Sequence, residues 1–187
     1  IGLGIPAEPL FRSVWFALAV QTMSGIDQSL TSMCPYVYEH AYSPHLASRL
    51  EGNPVVMDVV THGFADVTAV YDYVTVEGSG GILCPICFDE ARIQLEDVVK
   101  ELHLSSILIA DAGLGTINSV VLTAEYMKTH GLPLKGIIFN PGDVMEDDNI
   151  FMCEHMTGLP TLAKVQDGDT ELDMNIDALC ALYDEVK

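Results

Sequence analysis

Residues 105–127, SSILIADAGLGTINSVVLTAEYM, read as a buried apolar strand, a glycine-rich turn and a helix. Ile107 to Ile109 make the unbroken apolar run of a strand covered on both faces, and Gly113 and Gly115 let the chain reverse sharply. Thr116 to Asn118 then open a helix that continues through NSVVLTAEYMKTHG, with Gly131 placed to cap its end. A strand that passes through a tight turn into a helix is the first half of a β-α-β unit, and this one decides the fold.

The same alternation extends both ways. Upstream, NPVVMDVVTHGFADVTAVY (53–71) carries Val55, Val59, Val67 and Val70 at helical spacing, DYVTVEGSGG (72–81) reads as a strand running into glycines, and ARIQLEDVVKELHL (91–104) as an amphipathic helix. Downstream come a strand in LKGIIFNPG (134–142), an edge strand in LPTLAKV (159–165) and a closing helix in TELDMNIDALCALYDEV (170–186). Nearer the start, FRSVWFALAVQTM (11–23) reads as a helix and SGIDQSLTSMCPY (24–36) as a loop. Apolar strands separated by helices of this length pair most economically in parallel, with right-handed crossovers. The expected class is therefore α/β, a doubly wound and mostly parallel sheet, in one domain spanning 1–187.

Composition narrows the partners. The 187 residues are 49% hydrophobic, which suits a full core, and 8 basic against 27 acidic residues leave a formal charge of −19. That charge repels nucleic acid and anionic membrane, so small molecules or protein surfaces are the expected partners. Five cysteines with no secretory leader pattern suggest a reducing cytoplasm, and no apolar run approaches the ~20 residues of a membrane span.

In an open parallel sheet, ligands bind beyond the carboxyl ends of the strands, where glycines admit the backbone and helix N-termini offer free N–H groups. Three turns qualify. VEGSGG puts Glu77 ahead of Gly78, Ser79, Gly80 and Gly81: a carboxylate able to hold Mg²⁺ and amides able to face an anion, or simply a tight turn with a solvated glutamate. GLGTIN sets Gly115, Thr116, Ile117 and Asn118 at a helix start suited to a carboxylate or phosphate, although Thr116 could equally be an ordinary cap. IIFNPG ends on Asn140, which can donate and accept at once, as an adenine edge requires, or can belong to a plain Asn-Pro-Gly turn.

Taken together and in order, CPYVYEHAYSPHLASRLEG, YVTVEGSGG, ILIADAGLGTINSVVLTAEYMKTHGLPLKGIIFN and GLPTLAKV resemble the dethiobiotin synthase family over roughly residues 30–187. The resemblance implies a P-loop NTPase-like fold, a homodimer, and use of ATP and Mg²⁺. It implies a reaction in which 7,8-diaminononanoate captures CO₂ (or bicarbonate) as a carbamate that ATP phosphorylates before the ring closes. Carried over by motif, Glu77 is the Mg²⁺ ligand and Gly78 to Gly81 line the carbamate and phosphate region. Asn140 reads adenine with Pro160 near the base, and Gly115 to Asn118 hold the diamine's carboxylate across the dimer interface.

Two departures stand against that pattern. The resemblance calls for a phosphate-binding loop with Lys and Ser or Thr, but IGLGIPAEPLF places Ala7, Glu8 and Pro9 where the family has Gly, Lys and Thr, and AVQTMSG lacks a second lysine. The first ~30 residues are thus expected to be incomplete or divergent, and the alternative reading is a catalytically impaired dimeric homologue that binds a small carboxylate. A relative acting on another small acid is a third reading. In GILCPICF, Cys84 and Cys87 form a CxxC that would bind zinc only with help from Cys34, Cys153 or His155, or would form a redox pair. Two buried small side chains are the simpler expectation. His45 in SPHLASRLEG is expected to make a structural hydrogen bond, and DVMEDDN (143–149) to be a solvated loop.

Overall fold

The computed structural model describes residues 14–40, 42–89 and 91–185. The chain groups into two compact units, one spanning Ile5–His103 and the other built on Leu104–Lys187. The PAEP stretch lies outside the described residues.

The first unit is mainly helical. Helices α1 (Val14–Ser24), α2 (Leu30–Met33), α3 (Pro44–Leu50) and α4 (Met57–Thr68) precede a short antiparallel pair, β1 (Pro85–Phe88) with β2 (Arg92–Gln94), and then α5 (Leu95–Glu101). Its core gathers Tyr36, Tyr38, Ala47, Val55, Ile86, Ile93 and Val98, among others. The tyrosines are buried because their hydroxyls have partners: Tyr36 accepts from the Val56 N–H at 2.9 Å and Tyr38 donates to the Asn53 carbonyl at 2.8 Å.

Three expectations change here. Residues 73–78 form no strand; Tyr73, Thr75, Val76 and Glu77 are exposed, too little burial to make this segment an interior strand. The helix expected from 91 begins only at Leu95. Arg92–Gln94 pair with β1 instead, and the Gln94 N–H donates to Asp97 Oδ2 at 2.8 Å, which marks the helix start. Within the expected loop at 24–36, Ser29 caps a single turn, α2.

The second unit holds the winding predicted from residues 105–127. Strands β3 (Ser106–Asp111), β4 (Leu134–Asn140) and β5 (Thr161–Lys164) lie parallel in the order β3-β4-β5. Helices α6 (Thr116–Thr129) and α7 (Glu146–Thr157) form the crossovers. Gly131 takes a left-handed φ of 68° just beyond α6, the place where a side chain would be strained. Leu108 and Ala110 pack with Ile137, Phe139, Val120, Ile150 and Cys153, so both helices cover the same face. Ile107 and Ile109 alternate to the other face and are exposed, so among the described residues β3 is covered on one face and not, as its apolar run predicted, on both. Consecutive parallel strands with crossover helices are the α/β arrangement expected, one wound half of it.

The closing helix is shorter than expected: α8 covers only Ile176–Cys180, capped by the Asn175 side chain. The tail beyond it is tied to β4 by Lys135, which donates to the Leu182 carbonyl at 2.7 Å and to Asp184 at 2.6 Å. Lys135, with help from the Ser105 hydroxyl, holds the Asp184 carboxyl below the usual range. A carboxylate with a lowered folded-state pKa adds stability above its ordinary pKa and loses it as pH falls through the lower value. Lys135→Met should therefore speed amide hydrogen exchange across residues 176–184 at neutral pH, and the difference from the parent should narrow on acidification below about pH 4. No helix of the described residues is long and apolar enough to cross a membrane.

Candidate functional site

Two of the three turns belong to the sheet unit. α6 starts at Gly115, which sits at φ 93°, and no side chain caps the helix, so Thr116 is not the cap that local sequence allowed. Thr116 is instead the first helical residue, buried, with its N–H donating to the Gly113 carbonyl at 3.2 Å. The amides of the first helical turn have no carbonyl four residues back within the helix, and they carry the positive end of its dipole. A cavity of about 460 Å³ lies beside this helix start. Gly115, Asn118 and Asn149 line it together with the apolar Leu114, Val121 and Met156. A lining that mixes amides with aliphatic side chains can take an anionic head on an aliphatic chain.

Asn140 ends β4 beside Asp111, its register partner at the end of β3. Its side-chain Nδ2 donates to Asp111 Oδ1 at 3.2 Å, and its carbonyl accepts the Ala112 N–H at 3.1 Å. With the amide nitrogen turned to a carboxylate, Oδ1 is the acceptor left to meet an exocyclic amino group. Asp111 is a residue that sequence reasoning missed, although its place as the last residue of SSILIAD signals it.

Pro160 does not share this place. Its carbonyl accepts the Ile137 N–H at 3.0 Å at the entry to β5, whereas the chain beside the end of β4 is Val165, whose N–H donates to Phe139 at 2.8 Å. Three residues of parallel strand separate Pro160 from the level of Asn140, roughly 10 Å at about 3.3 Å per residue. The structure thus does not support Pro160 near a base read by Asn140. Parallel strands point the same way, so the start of β5 faces away from the carboxyl ends.

The VEGSGG turn belongs to the helical unit. Gly80 has φ 93°, and a Cβ on Gly78 would come within 2.6 Å of Leu95 Cδ2. Ser79 is buried with its hydroxyl unpartnered among the described residues. Glu77 is exposed at the residue level, yet desolvation of its carboxyl pushes the acid above its usual range. Gly81 accepts the Cys84 N–H at 2.8 Å, closing the turn into β1.

The cysteines behave as small core residues. Cys87 is buried in the helical unit's core with Cys84 packed against it, and burial pushes the Cys34, Cys84 and Cys153 thiols up, away from the thiolate. For Cys34 the negative charge of Glu77 adds to the effect. Among the described residues no three His, Cys, Asp or Glu side chains gather as a metal group. His45 is found near the start of α3, with its Nδ1 buried and, among the described residues, without a hydrogen-bond partner. The acidic stretch at 143–149 is a solvated loop only in part: Asp143 to Met145 are exposed turn, and the helix begins after them. Glu146, Asp147 and Asp148 form the first turn of α7, where the helix dipole favours them, and Asn149 is buried.

A family model described as an AAA domain matches residues 17–170. The chain is 47% identical over 165 residues to the ATP-dependent dethiobiotin synthetase BioD of Brachyspira hyodysenteriae, covering 86% of this chain and 75% of that protein. It is 42% identical over 154 residues to the protein of the same name from Clostridium perfringens, covering 79% and 68%. With that of Clostridium kluyveri it shares 40% over 163 residues, covering 86% and 68%. A match of this extent to the domain model, with identities this high across most of the chain, makes the protein a member of the AAA domain family and of the ATP-dependent dethiobiotin synthetase family.

Proposed function

We propose that this chain makes dethiobiotin in biotin biosynthesis, an ATP- and Mg²⁺-dependent ligase that closes the ureido ring of 7,8-diaminononanoate with CO₂. The observation that supports this reading most is the cavity beside the start of α6, lined by Gly115, Asn118 and Asn149 together with apolar side chains. The first-turn amides and Asn118 hold the substrate carboxylate, and Leu114, Ile117 and Val121 line its methylene chain.

One amine adds to CO₂, giving a carbamate and a proton. A carbamate oxygen attacks the γ-phosphorus of ATP and ADP leaves. The second amine attacks the carbamoyl carbon, phosphate departs, and loss of the amine's proton completes the ring. Positioning dominates such chemistry, because an intramolecular amine held near the carbonyl needs no further encounter. The Gly78 to Gly81 turn offers amides to the carbamate and phosphate, and Asn140, its amide turned by Asp111, accepts from the adenine amino group. Glu77, the carboxylate ahead of the glycine turn, is the residue that would hold a divalent cation. Mg²⁺ held there supplies charge neutralisation for the phosphates.

A second copy of the chain covers the exposed apolar side chains around the cavity, Leu114 at 88%, Leu122 at 62% and Met156 at 49% exposure. The five free thiols suit a reducing cytoplasm. The test is to incubate the full-length protein with 7,8-diaminononanoate, bicarbonate, ATP and Mg²⁺ and to follow dethiobiotin by mass spectrometry. Formation of dethiobiotin with stoichiometric ADP is the expected result; binding of the diamine without diamine-dependent ATP consumption would overturn it.

A further inference from the structure

We propose that Asn149 is a positioning residue that holds the α6 cradle in its anion-binding shape, an inference that rests on the carboxylate reading above. Asn149 lies in the first part of α7 and is only 8% exposed. Its Nδ2 donates to the Ala112 carbonyl at 2.9 Å and reaches the Gly113 carbonyl at 3.4 Å. Two carbonyl oxygens accept only from a donor, so the amide has one orientation here.

The loop it touches has little else to define it on that side. Leu114 is 88% exposed and Gly115 is left-handed, so the middle of the turn gains no shape from packing. Its entry is held elsewhere: Ala112 is fully buried, its N–H bonds to Asn140, and a Cβ on Gly142 would come within 2.6 Å of the Ala112 carbonyl carbon. What remains to be set is where the Ala112 and Gly113 carbonyls point. Asn149 also lines the cavity, and the Gly113 oxygen takes a second bond from the Thr116 N–H. Paired in this way, both oxygens have their negative ends offset by donors, which lessens their repulsion of a carboxylate nearby. A buried amide on a neighbouring helix thus acts on the helix N-terminus through the Ala112 and Gly113 carbonyls it holds.

The experiment compares 7,8-diaminononanoate with its methyl ester, which keeps both amines and the chain but lacks the charge. The parent protein should favour the acid in KM. Asn149→Leu, close in size but without a donor, should raise KM for the acid about tenfold. It should leave KM for ATP and for the ester within about twofold, so that the acid-to-ester preference collapses, and Asn149→Gln should recover part of it. If Asn149→Leu does not fold, Asn149→Ala, which favours helix and adds no bulk, carries the same readout. An unchanged acid-to-ester preference in the variant, or equal losses on acid, ester and ATP, overturns the inference. A parent protein that treats acid and ester alike overturns the carboxylate reading itself, and the inference with it.

Discussion

Glu77→Gln lowers the rate of dethiobiotin formation by on the order of 10²- to 10³-fold, the cost expected when the carboxylate that holds a charge-neutralising cation is removed. The substitution keeps the size of the side chain and removes its charge. Because desolvation is what raises this carboxyl, the charged form is unfavourable in the folded protein, and glutamine relieves that without altering the glycine turn behind it. The variant should therefore melt no lower than the parent while losing its response to added Mg²⁺. Steady-state rates across a Mg²⁺ titration, with a thermal melt on the same preparation, check both halves. Parent-like rates at saturating Mg²⁺ would remove Glu77 from the site.

Phe139→Ala costs the sheet unit about 3–5 kcal/mol, a large fraction of the 5–15 kcal/mol that holds a domain folded. Phe139 is 1% exposed and packs among Ala112, Val120, Ile137, Ile150 and Cys153, so its loss leaves a cavity where strand β4 meets both crossover helices. It also immediately precedes Asn140, so the end of β4 loosens with the core. Ile109→Ala is the control: on the opposite face and 55% exposed, it should cost under about 1 kcal/mol. Urea unfolding followed by circular dichroism separates the two, and equal midpoints would mean that the covered face has been assigned wrongly.

The contrast between these two residues shows how far local pattern reaches. From residue 105 to 164 the strands, the crossover helix α6 and the Gly131 stop were legible, because each depends on periods and turn residues within a few positions of itself. The VEGSGG and GLGTIN turns were legible for the same reason, their glycines meeting a backbone requirement that sequence alone can state. Failures fell where an element depends on its neighbours. Residues 73–78 have the apolar residues of a strand, but a strand exists only where a ladder and burial support it. Arg92–Gln94 sit in a helical pattern and pair with β1 instead, while the acidic run before Asn149 looked like solvent-facing loop and became a helix end.

The site divides in the same way. Which residue types could cradle a carboxylate, hold a cation or meet adenine was determined by the sequence itself, through charge, hydrogen-bonding capacity and the freedom of glycine. Tertiary structure alone decided that Pro160 lies some three residues of strand away from Asn140, that Asp111 turns the Asn140 amide, and that Asn149 reaches the Ala112 and Gly113 carbonyls 36 or 37 positions earlier in the chain. Hydrogen bonds between residues so distant in sequence leave no periodic trace, because they depend on strand register and helix packing that exist only once the chain has folded.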